Sequence, residues 1–323
     1  MKKIVPGVYS VLLTPLKDGG IDGKSFKYTV SQLIDKNIHG LVVIGSTGEL
    51  PYLTMDEKKE AIDSVMDAAG GKVPVVAGAG AFGTDETIAI ARHAEKSNID
   101  ALLVPLPIYF ELKFESVLAH YERIADSVSL PIIYYHFPEV THLDLTPDQL
   151  ARIFEIENVI GIKESIFNLQ TIKKHKEALP RDAMIFSGTI LMLGSVVKMG
   201  GQGCICPIPN LVPEISVAFY EALKKKDGRK AEELEKKLYG LLPVFTDVPL
   251  PADAMRRVMK LGSKVGLPMK MGSSPHAALK EASRLLGHPI TPEVKPPLPP
   301  LTEKQKKRIK KTLEKMNLLK EQA

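Results

Sequence analysis

Lys163 is the residue whose type and position most directly suggest chemistry. It follows a short apolar run, residues 159–162, that lies between Asn158 and Asn168. The run is too short for a buried helix, so it predicts a buried strand that ends in a lysine. Burial favours the neutral form of an amine, and a neutral amine can attack a carbonyl and form a Schiff base. Most strand-end lysines only cap the strand and reach solvent, so this stretch alone favours a structural role for Lys163.

The elements that must position Lys163 repeat along the chain. Short apolar strands alternate with amphipathic helices eight times, a pattern typical of parallel βαβ units. Eight such units predict an α/β fold, a closed (β/α)8 TIM barrel, whose active site lies on the loops after the strands. The predicted strands are residues 8–13, 40–45, 73–77, 101–105, 131–136, 159–163, 184–188 and 203–207.

The strand pattern stops after residue 227, but helical patterns continue. We therefore expect two parts, a barrel at 1–227 that carries the active site and a C-terminal helical extension at 228–323 that ends in a basic helix. The extension is predicted to contain helices at 228–246, 252–264 and 275–286, then a Pro-rich link at 295–300.

The basic end of the chain accounts for its net charge of +5. Residues 303–323 contain eight Lys or Arg and three Glu, so the remainder of the chain is neutral. Ile309, Leu313 and Met316 fall at helical spacing, which predicts a terminal helix docked by one face with its lysines in water. The segment has no aromatic residue for base stacking, and no apolar stretch is long enough to span a bilayer. We expect neither a nucleic-acid nor a membrane partner.

Composition and cysteine content narrow the class of protein further. A chain of 323 residues with 44% hydrophobic residues and no Trp predicts a large aliphatic core. Cys204 and Cys206 are its only cysteines, which excludes a disulfide framework and favours a cytoplasmic protein. The histidines lack HxH and HExxH spacing, and we expect the two cysteines to point to opposite faces of a strand, so no metal site is predicted.

Further polar side chains are predicted on the same rim as Lys163. Tyr135 ends the neighbouring fifth strand, and Tyr109 follows the fourth. Ser46 and Thr47 follow the second strand. A tyrosine hydroxyl can pass protons, and the hydroxyls and backbone N–H groups of a Ser-Thr pair suit a carboxylate. Each could have a purely structural role, but their convergence on one rim favours a Schiff-base site.

Alternation along a strand assigns faces to the residues around Lys163. Lys163 and Ser165 are predicted to point into the barrel, on the same face as Gly161. His136 is interpreted as an outward, hydrogen-bonded barrel residue. The outward face of the sixth strand is predicted to carry Ile160, Ile162 and Glu164.

Three motifs now give the chain a recognisable pattern. Residues 45–49 (Gly-Ser-Thr-Gly-Glu), 135–138 (Tyr-His-Phe-Pro) and 161–164 (Gly-Ile-Lys-Glu) occur in order at the ends of strands two, five and six. The chain resembles the dihydrodipicolinate synthase/N-acetylneuraminate lyase family of class I aldolases over about residues 4–300. That resemblance implies a cytoplasmic enzyme that joins or cleaves pyruvate, or another 2-oxo acid, and an aldehyde, with no metal or organic cofactor.

The resemblance also implies roles for individual residues. Lys163 would form the imine, and Tyr135 would transfer protons. Ser46 and Thr47 would hold the substrate carboxylate and, with Tyr109, form a proton relay. Tyr109 in family homotetramers usually comes from a neighbouring subunit, so a homo-oligomer, dimer or tetramer, is expected.

Three more residues are substrate-binding candidates. Gly188 and Ile205 match family positions that contact the bound 2-oxo acid through their backbone. Ser165 shares the predicted inward face of Lys163.

The chain departs from both named branches of the family. Synthases typically carry an arginine two residues after the proline of the tyrosine motif, where this chain has Val140. Sialic acid lyases usually place acidic residues after the seventh-strand glycine, where this chain continues from Thr189 with apolar residues. The second-substrate pocket is therefore predicted to be comparatively apolar, and its residues would be Val140, Ile166, Phe167 and Ile190.

Other functions stay open at this point. Another 2-oxo acid aldolase or dehydratase of the family, of the sugar-acid or hydroxy-oxoglutarate type, fits the same motifs. A barrel that binds a 2-oxo acid without turnover also fits, although it would not need Lys163. Residues 78–83 read GxGxxG, which suggests a dinucleotide site, but Asp85 and Glu86 would repel a pyrophosphate there. We interpret these glycines as packing residues.

Overall fold

Parallel strands form the centre of the molecule. The computed structural model describes residues 3–107, 109–246, 250–266 and 275–319. Within these residues, eight strands close into a barrel in which each strand pairs in parallel with the next and the last pairs with the first. The predicted TIM barrel is confirmed. The strands are β1 (Gly7–Val11), β2 (Gly40–Val43), β3 (Val75–Gly78), β4 (Ala101–Pro105), β5 (Ile132–His136), β6 (Val159–Glu164), β7 (Met184–Ser187) and β8 (Gly203–Cys206).

Helices cover the outside of the barrel and connect its strands. Their side chains and the outward side chains of the strands form one apolar layer, as expected for a parallel sheet that is covered by helices. The helices are α1 (Gly23–Asp35), α2 (Met55–Ala69), α3 (Thr84–Lys96), α4 (Phe114–Ser127), α5 (Pro138–Thr141), α6 (Pro147–Ile153), α7 (Leu169–Ala178), α8 (Leu193–Lys198) and α9 (Pro213–Lys224).

Local sequence signals determine where several helices begin. Thr54 starts α2 with a reciprocal capping box, in which its hydroxyl accepts from the Glu57 N–H at 3.3 Å and the Glu57 carboxylate accepts from the Thr54 N–H at 2.9 Å. This arrangement satisfies two backbone donors that have no partner within the helix. Thr302 and Gln305 begin the C-terminal helix in the same way.

A second apolar cluster fills the inside of the barrel. Its members come from the inward faces of the strands, and Tyr9 packs edge-on against Phe186 with the ring centroids 5.5 Å apart. Tyr135 belongs to this inner cluster. Apolar side chains thus fill the interior of the barrel. The polar side chains of an active site are expected at the rim after the strands.

The chain after the barrel is helical, as predicted. These helices are α10 (Gly228–Tyr239), α11 (Leu242–Phe245), α12 (Ala252–Val265), α13 (His276–Leu285) and α14 (Glu303–Lys315). Ile309 and Leu313 are fully buried on one face of α14, which confirms the docked terminal helix. Residues 320–323 of the predicted basic tail lie outside the described residues. Among the residues described, no helix has both the length and the apolar character needed to cross a membrane.

Candidate active site

Lys163 and Tyr135 lie side by side on neighbouring strands. The register of β5 and β6 pairs the two residues directly, and both are buried, with exposed fractions of 4% and 5%. The Lys163 Nζ lies 3.9 Å from the centroid of the Tyr135 ring. The predicted neighbouring pair is therefore present, and its amine is held against the ring face.

A β-bulge adjusts the faces of β6. Ile132 pairs with Val159 and Ile133 pairs with Gly161, so Ile160 is an extra residue opposite β5. Ile160 packs against the inner cluster, and the prediction that it points outward was wrong. The two-residue alternation resumes after the bulge, which places Lys163 inward beside Tyr135.

The turn after β2 brings a hydroxyl to Tyr135. Residues Ser46–Gly48 form one turn of 3-10 helix, in which Ser46 and Thr47 are both half-buried. The Ser46 Oγ lies 3.5 Å from the Tyr135 hydroxyl. The hydroxyl that faces Tyr135 thus belongs to Ser46, and Thr47 is next to it in the same turn.

The surroundings of Tyr135 favour its deprotonated form. Burial raises the pKa of its hydroxyl, but the charge of Lys163 and hydrogen bonds with Ser46, Ser165 and Lys163 oppose this effect. The result is a pKa below the ordinary value of tyrosine. A hydroxyl of this kind is better suited to accept and return a proton than a free tyrosine is.

The remaining predicted binding residues on the strands lie near this pair. Ser165 follows β6, and its side chain lowers the pKa of Tyr135. Gly188 follows β7, and a Cβ at that position would collide with the Ser165 hydroxyl. Ile205 is a fully buried member of the inner cluster that contains Tyr135. Gly188 therefore makes room for Ser165 beside the Lys163 site.

Tyr109 is placed differently from the other predicted residues. Its side chain is 74% exposed and lies edge-on to Phe82 and Phe110, with ring centroids 5.9 and 4.8 Å away. Its described contacts are thus with other exposed aromatic residues and not with Lys163. A single chain does not bring Tyr109 into the site.

The predicted apolar lining of the second pocket is only partly present. Phe167 and Ile190 pack among the outer apolar side chains, with exposed fractions of 8% and 0%. Ile166 is half-buried, and Val140, in α5, is 43% exposed. These two residues are the members of the predicted set that keep exposed surface.

A buried charge network lies behind Lys163 and Tyr135. Nδ1 of His136 is 2.7 Å from Oε2 of Glu164, and its Nε2 is 3.0 Å from Oδ1 of Asp144. The other Glu164 oxygen lies 2.7 Å from Nδ1 of His175. The outward, hydrogen-bonded position predicted for His136 is confirmed. The sequence did not predict the network itself, although His136 and Glu164 each follow a site residue by one position.

The network has residue types that could hold a metal ion, but its geometry is that of hydrogen bonds. Burial lowers the pKa of His136, yet the nearby Glu164 and Asp144 outweigh this effect and raise it to about 9. Burial raises the pKa of Glu164, but His136 and His175 lower it to about 2. A cationic His136 that faces a carboxylate with each nitrogen has no lone pair for a metal.

The cysteine prediction requires a correction. Cys204 and Cys206 both belong to the outer apolar layer, whereas Ile205 between them belongs to the inner cluster. The prediction of opposite faces was wrong because residues two apart on a strand share a face.

The glycine-rich segment after β3 packs closely, as predicted. A Cβ on Gly78 would collide with the carbonyl of Ile44, and one on Gly80 would lie 2.5 Å from the Pro105 side chain. Asp85, at the start of α3, pairs with Arg123 at 2.5 Å. These glycines serve strand packing in a closed barrel, which removes the basis for the dinucleotide site.

Comparisons with known proteins agree with this geometry. The model of the dihydrodipicolinate synthetase family matches residues 5–270. A 4-hydroxy-tetrahydrodipicolinate synthase from Nitrobacter hamburgensis is 33% identical over 286 residues, which cover 88% of this chain and 92% of that protein. The synthase of the same name from Methanopyrus kandleri is 34% identical, with coverage of 86% and 91%.

Solved structures of the same family have the same fold as this chain. A prophage protein of the dihydrodipicolinic acid synthase family from E. coli K12, solved in complex with pyruvate, has a TM-score of 0.84 and 26% identity, with coverage of 98% and 100%. A dihydrodipicolinate synthase from Thermotoga maritima has a TM-score of 0.84 and 27% identity, with the same coverage. The chain belongs to the dihydrodipicolinate synthetase family and is a pyruvate-dependent class I aldolase or synthase, a lyase that works through a lysine Schiff base.

Proposed function

We propose that Lys163 is the Schiff-base lysine and that Tyr135 is its proton-transfer partner. The observation that carries the proposal is their pairing across β5 and β6, with the Nζ of Lys163 3.9 Å from the Tyr135 ring. The family supplies the chemistry, and the structure has a buried amine at the rim where barrels carry their active sites.

The steps follow from these two groups. The Lys163 amine attacks C2 of pyruvate, and the carbinolamine loses water once its hydroxyl is protonated. Loss of a C3 proton turns the imine into an enamine, whose C3 attacks the aldehyde carbon. Water then hydrolyses the product imine and frees Lys163. Tyr135, whose pKa is lowered by Lys163 and its hydrogen-bond partners, moves the protons in these steps.

The turn after β2 is the proposed carboxylate site. Ser46 and Thr47 offer hydroxyls and backbone N–H groups, which can donate hydrogen bonds to a carboxylate. Gly188 and Ile205 would contact the 2-oxo acid through their backbone, as the family resemblance implies. Ser46 lies within 3.5 Å of the Tyr135 hydroxyl, so it would link the carboxylate site to proton transfer.

We further propose that the aldehyde substrate has no carboxylate in the part that would lie next to Val140. The curated relatives above are named synthases, but the residue two positions after Pro138 is an exposed valine on α5. An arginine at this place would pair with a carboxylate in two hydrogen bonds, and valine cannot replace that interaction.

The proposal also includes the oligomeric state of the protein, its cellular compartment and its division into two parts. We propose a cytoplasmic homo-oligomer, dimer or tetramer, in which Tyr109 of one chain completes the site of another. The exposed aromatic cluster of Tyr109, Phe110 and Phe82 supports this arrangement, because grouped exposed aromatic residues typically mark interaction sites. We also propose the division into a barrel at 1–227 and an extension at 228–323.

Deuterium exchange at C3 of pyruvate tests the catalytic assignment without knowledge of the aldehyde. Wild-type protein in D2O should exchange these protons, and Lys163→Ala should not. Lys58→Ala removes an equally buried lysine on α2 and is the matched control that should still exchange. Exchange by Lys163→Ala at the wild-type rate would refute the assignment. Pyruvate binding without exchange by the wild type would favour a non-catalytic binding barrel.

A further inference from the structure

Helix α13, in the C-terminal extension, reaches the turn that holds Ser46. His276 is the first residue of α13, and its Nε2 lies 2.9 Å from the backbone carbonyl of Ser46. Lys280 lies one helical turn later on the same face. Its Nζ is 2.5 Å from Oε1 of Glu49, and both side chains are fully buried. Two residues of one helix face thus contact both ends of the Ser46–Gly48 turn.

The Glu49 carboxylate depends on the C-terminal extension. Its second oxygen accepts a hydrogen bond from the backbone N–H of Lys295 at 2.7 Å. The Lys280 Nζ in turn donates to the carbonyl of Glu293 at 2.5 Å. Each of these described partners lies beyond residue 275. A buried carboxylate is stable only when it is paired, so the turn and the extension must fold together.

The backbone on either side of the turn is strained. Ile44 has a φ of 47° and Glu49 a φ of 66°, both in the left-handed region. This conformation is unfavourable for residues other than glycine and most of all for a β-branched one such as Ile44. Such conformations persist where surrounding contacts hold them, and they cluster at functional sites.

We propose that His276 and Lys280 are positioning residues of the active site. They hold the Ser46–Gly48 turn so that its backbone N–H groups face the pyruvate carboxylate and the Ser46 hydroxyl meets Tyr135. The inference rests on the proposed function of Ser46 and Tyr135. If the inference is correct, changes to these two residues of α13 affect pyruvate binding. A purely structural role would affect only the stability of the fold.

The test uses variants of His276 in the full chain. His276→Ala removes the ring that donates to the Ser46 carbonyl, and His276→Gln keeps an N–H donor at a similar reach. Arg284→Gln is the matched control, because Arg284 lies on the same helix but pairs with Glu281. Each variant is compared with the wild type in melting temperature, so that loss of folding is recognised.

The first readout is the pyruvate concentration that gives half-maximal borohydride trapping. His276→Ala should raise this concentration about tenfold, the effect of losing one hydrogen bond of typical strength. The maximal trapping rate should change less. His276→Gln should recover most of the loss, and Arg284→Gln should match the wild type. An unchanged half-maximal concentration in folded His276→Ala would overturn the proposal.

The second readout is independent of pyruvate. Hydrogen–deuterium exchange of a peptide that covers residues 44–50 should be faster in His276→Ala than in Arg284→Gln. If wild-type protein traps no pyruvate, the proposed function fails, and this exchange alone decides whether α13 holds the turn. Equal exchange in the two variants would then refute the inference.

The ion pair is tested by removing both charges. Lys280→Met leaves the Glu49 carboxylate buried without its cationic partner, so this variant is expected to fold poorly. The double variant Glu49→Gln/Lys280→Met removes that cost and should fold, but it should trap pyruvate with a raised half-maximal concentration. A folded double variant with wild-type trapping would exclude Lys280 as a positioning residue.

Discussion

His136 and Glu164 lie opposite each other one position beyond Tyr135 and Lys163 in the β5–β6 register. The inward pair carries the proposed chemistry, and the outward pair forms a contact of 2.7 Å with almost no exposure to solvent. The two pairs lie on opposite faces of the same strands. The outward contact therefore joins β5 and β6 in the same register that brings the amine to the tyrosine ring.

This network should make stability depend on pH at both ends of the range. The pKa of His136 is raised from 6.5 to about 9, so its contribution is complete below pH 6.5 and is lost as the pH rises through 9. The pKa of Glu164 is lowered from 4.5 to about 2, so its contribution is complete above pH 4.5 and is lost as the pH falls towards 2. Both contributions are complete between pH 4.5 and 6.5. The free energy of unfolding, measured with urea, should therefore receive its largest contribution from this network in that range.

Glu164→Gln is the variant that tests the network. Loss of the charge leaves His136 with a weaker partner, and breaking a buried ion pair costs about 3–5 kcal/mol. The stability of the variant should also fall less than that of the wild type between about pH 6.5 and 9. Urea unfolding at several pH values measures both effects. Equal stability of variant and wild type at pH 6 would contradict this account of the network.

Tyr135→Phe should separate imine formation from proton transfer. The ring that packs against Lys163 remains, but the hydroxyl that moves protons is lost. Exchange of the C3 protons of pyruvate should slow about 10²- to 10⁴-fold, the usual range for loss of a general acid–base group. Borohydride trapping should continue at a reduced rate. A wild-type exchange rate would remove Tyr135 from the mechanism.

Val140→Arg should change the choice of aldehyde. The position is 43% exposed on α5, so an arginine can be accommodated without disturbing the core. The variant should improve kcat/KM for aldehydes that carry a carboxylate and leave uncharged aldehydes largely unaffected. Steady-state rates with matched pairs of aldehydes measure the effect. A wild type that already prefers the carboxylated member would contradict the proposed substrate class.

Oligomer formation should be required for full activity through Tyr109. Its ring is 74% exposed, and it lies between two other exposed aromatic rings. Light scattering should show a dimer or tetramer, and Tyr109→Phe should slow proton exchange without altering assembly. A fully active monomer would refute the relay role.

Short-range patterns predicted most of the fold. Alternating strands and helices gave the eight-stranded barrel, and the end of β6 placed Lys163 beside Tyr135. The failures have local causes. The bulge at Ile160 depends on pairing between β5 and β6, which alternation within one strand does not reveal. The cysteine prediction misapplied the two-residue period.

The parts that the sequence did not predict depend on contacts between distant segments. Ser46 and His276 are 230 positions apart, and Glu49 and Lys280 are similarly distant. Neither pair has a spacing that a motif could record. Likewise, Phe167 and Ile190 follow the site strands, but helix packing buries them in the outer layer. Only the assembled barrel shows which of these loop residues are buried by helix packing.

The central claim is that Lys163 forms the imine with pyruvate. Intact-protein mass spectrometry after treatment with pyruvate and borohydride tests it most directly, with Lys163→Ala treated in parallel. The account predicts one pyruvyl adduct on the wild type, at Lys163 by peptide mapping, and none on the variant. An adduct of equal yield on Lys163→Ala, or no adduct on the wild type, would contradict the account.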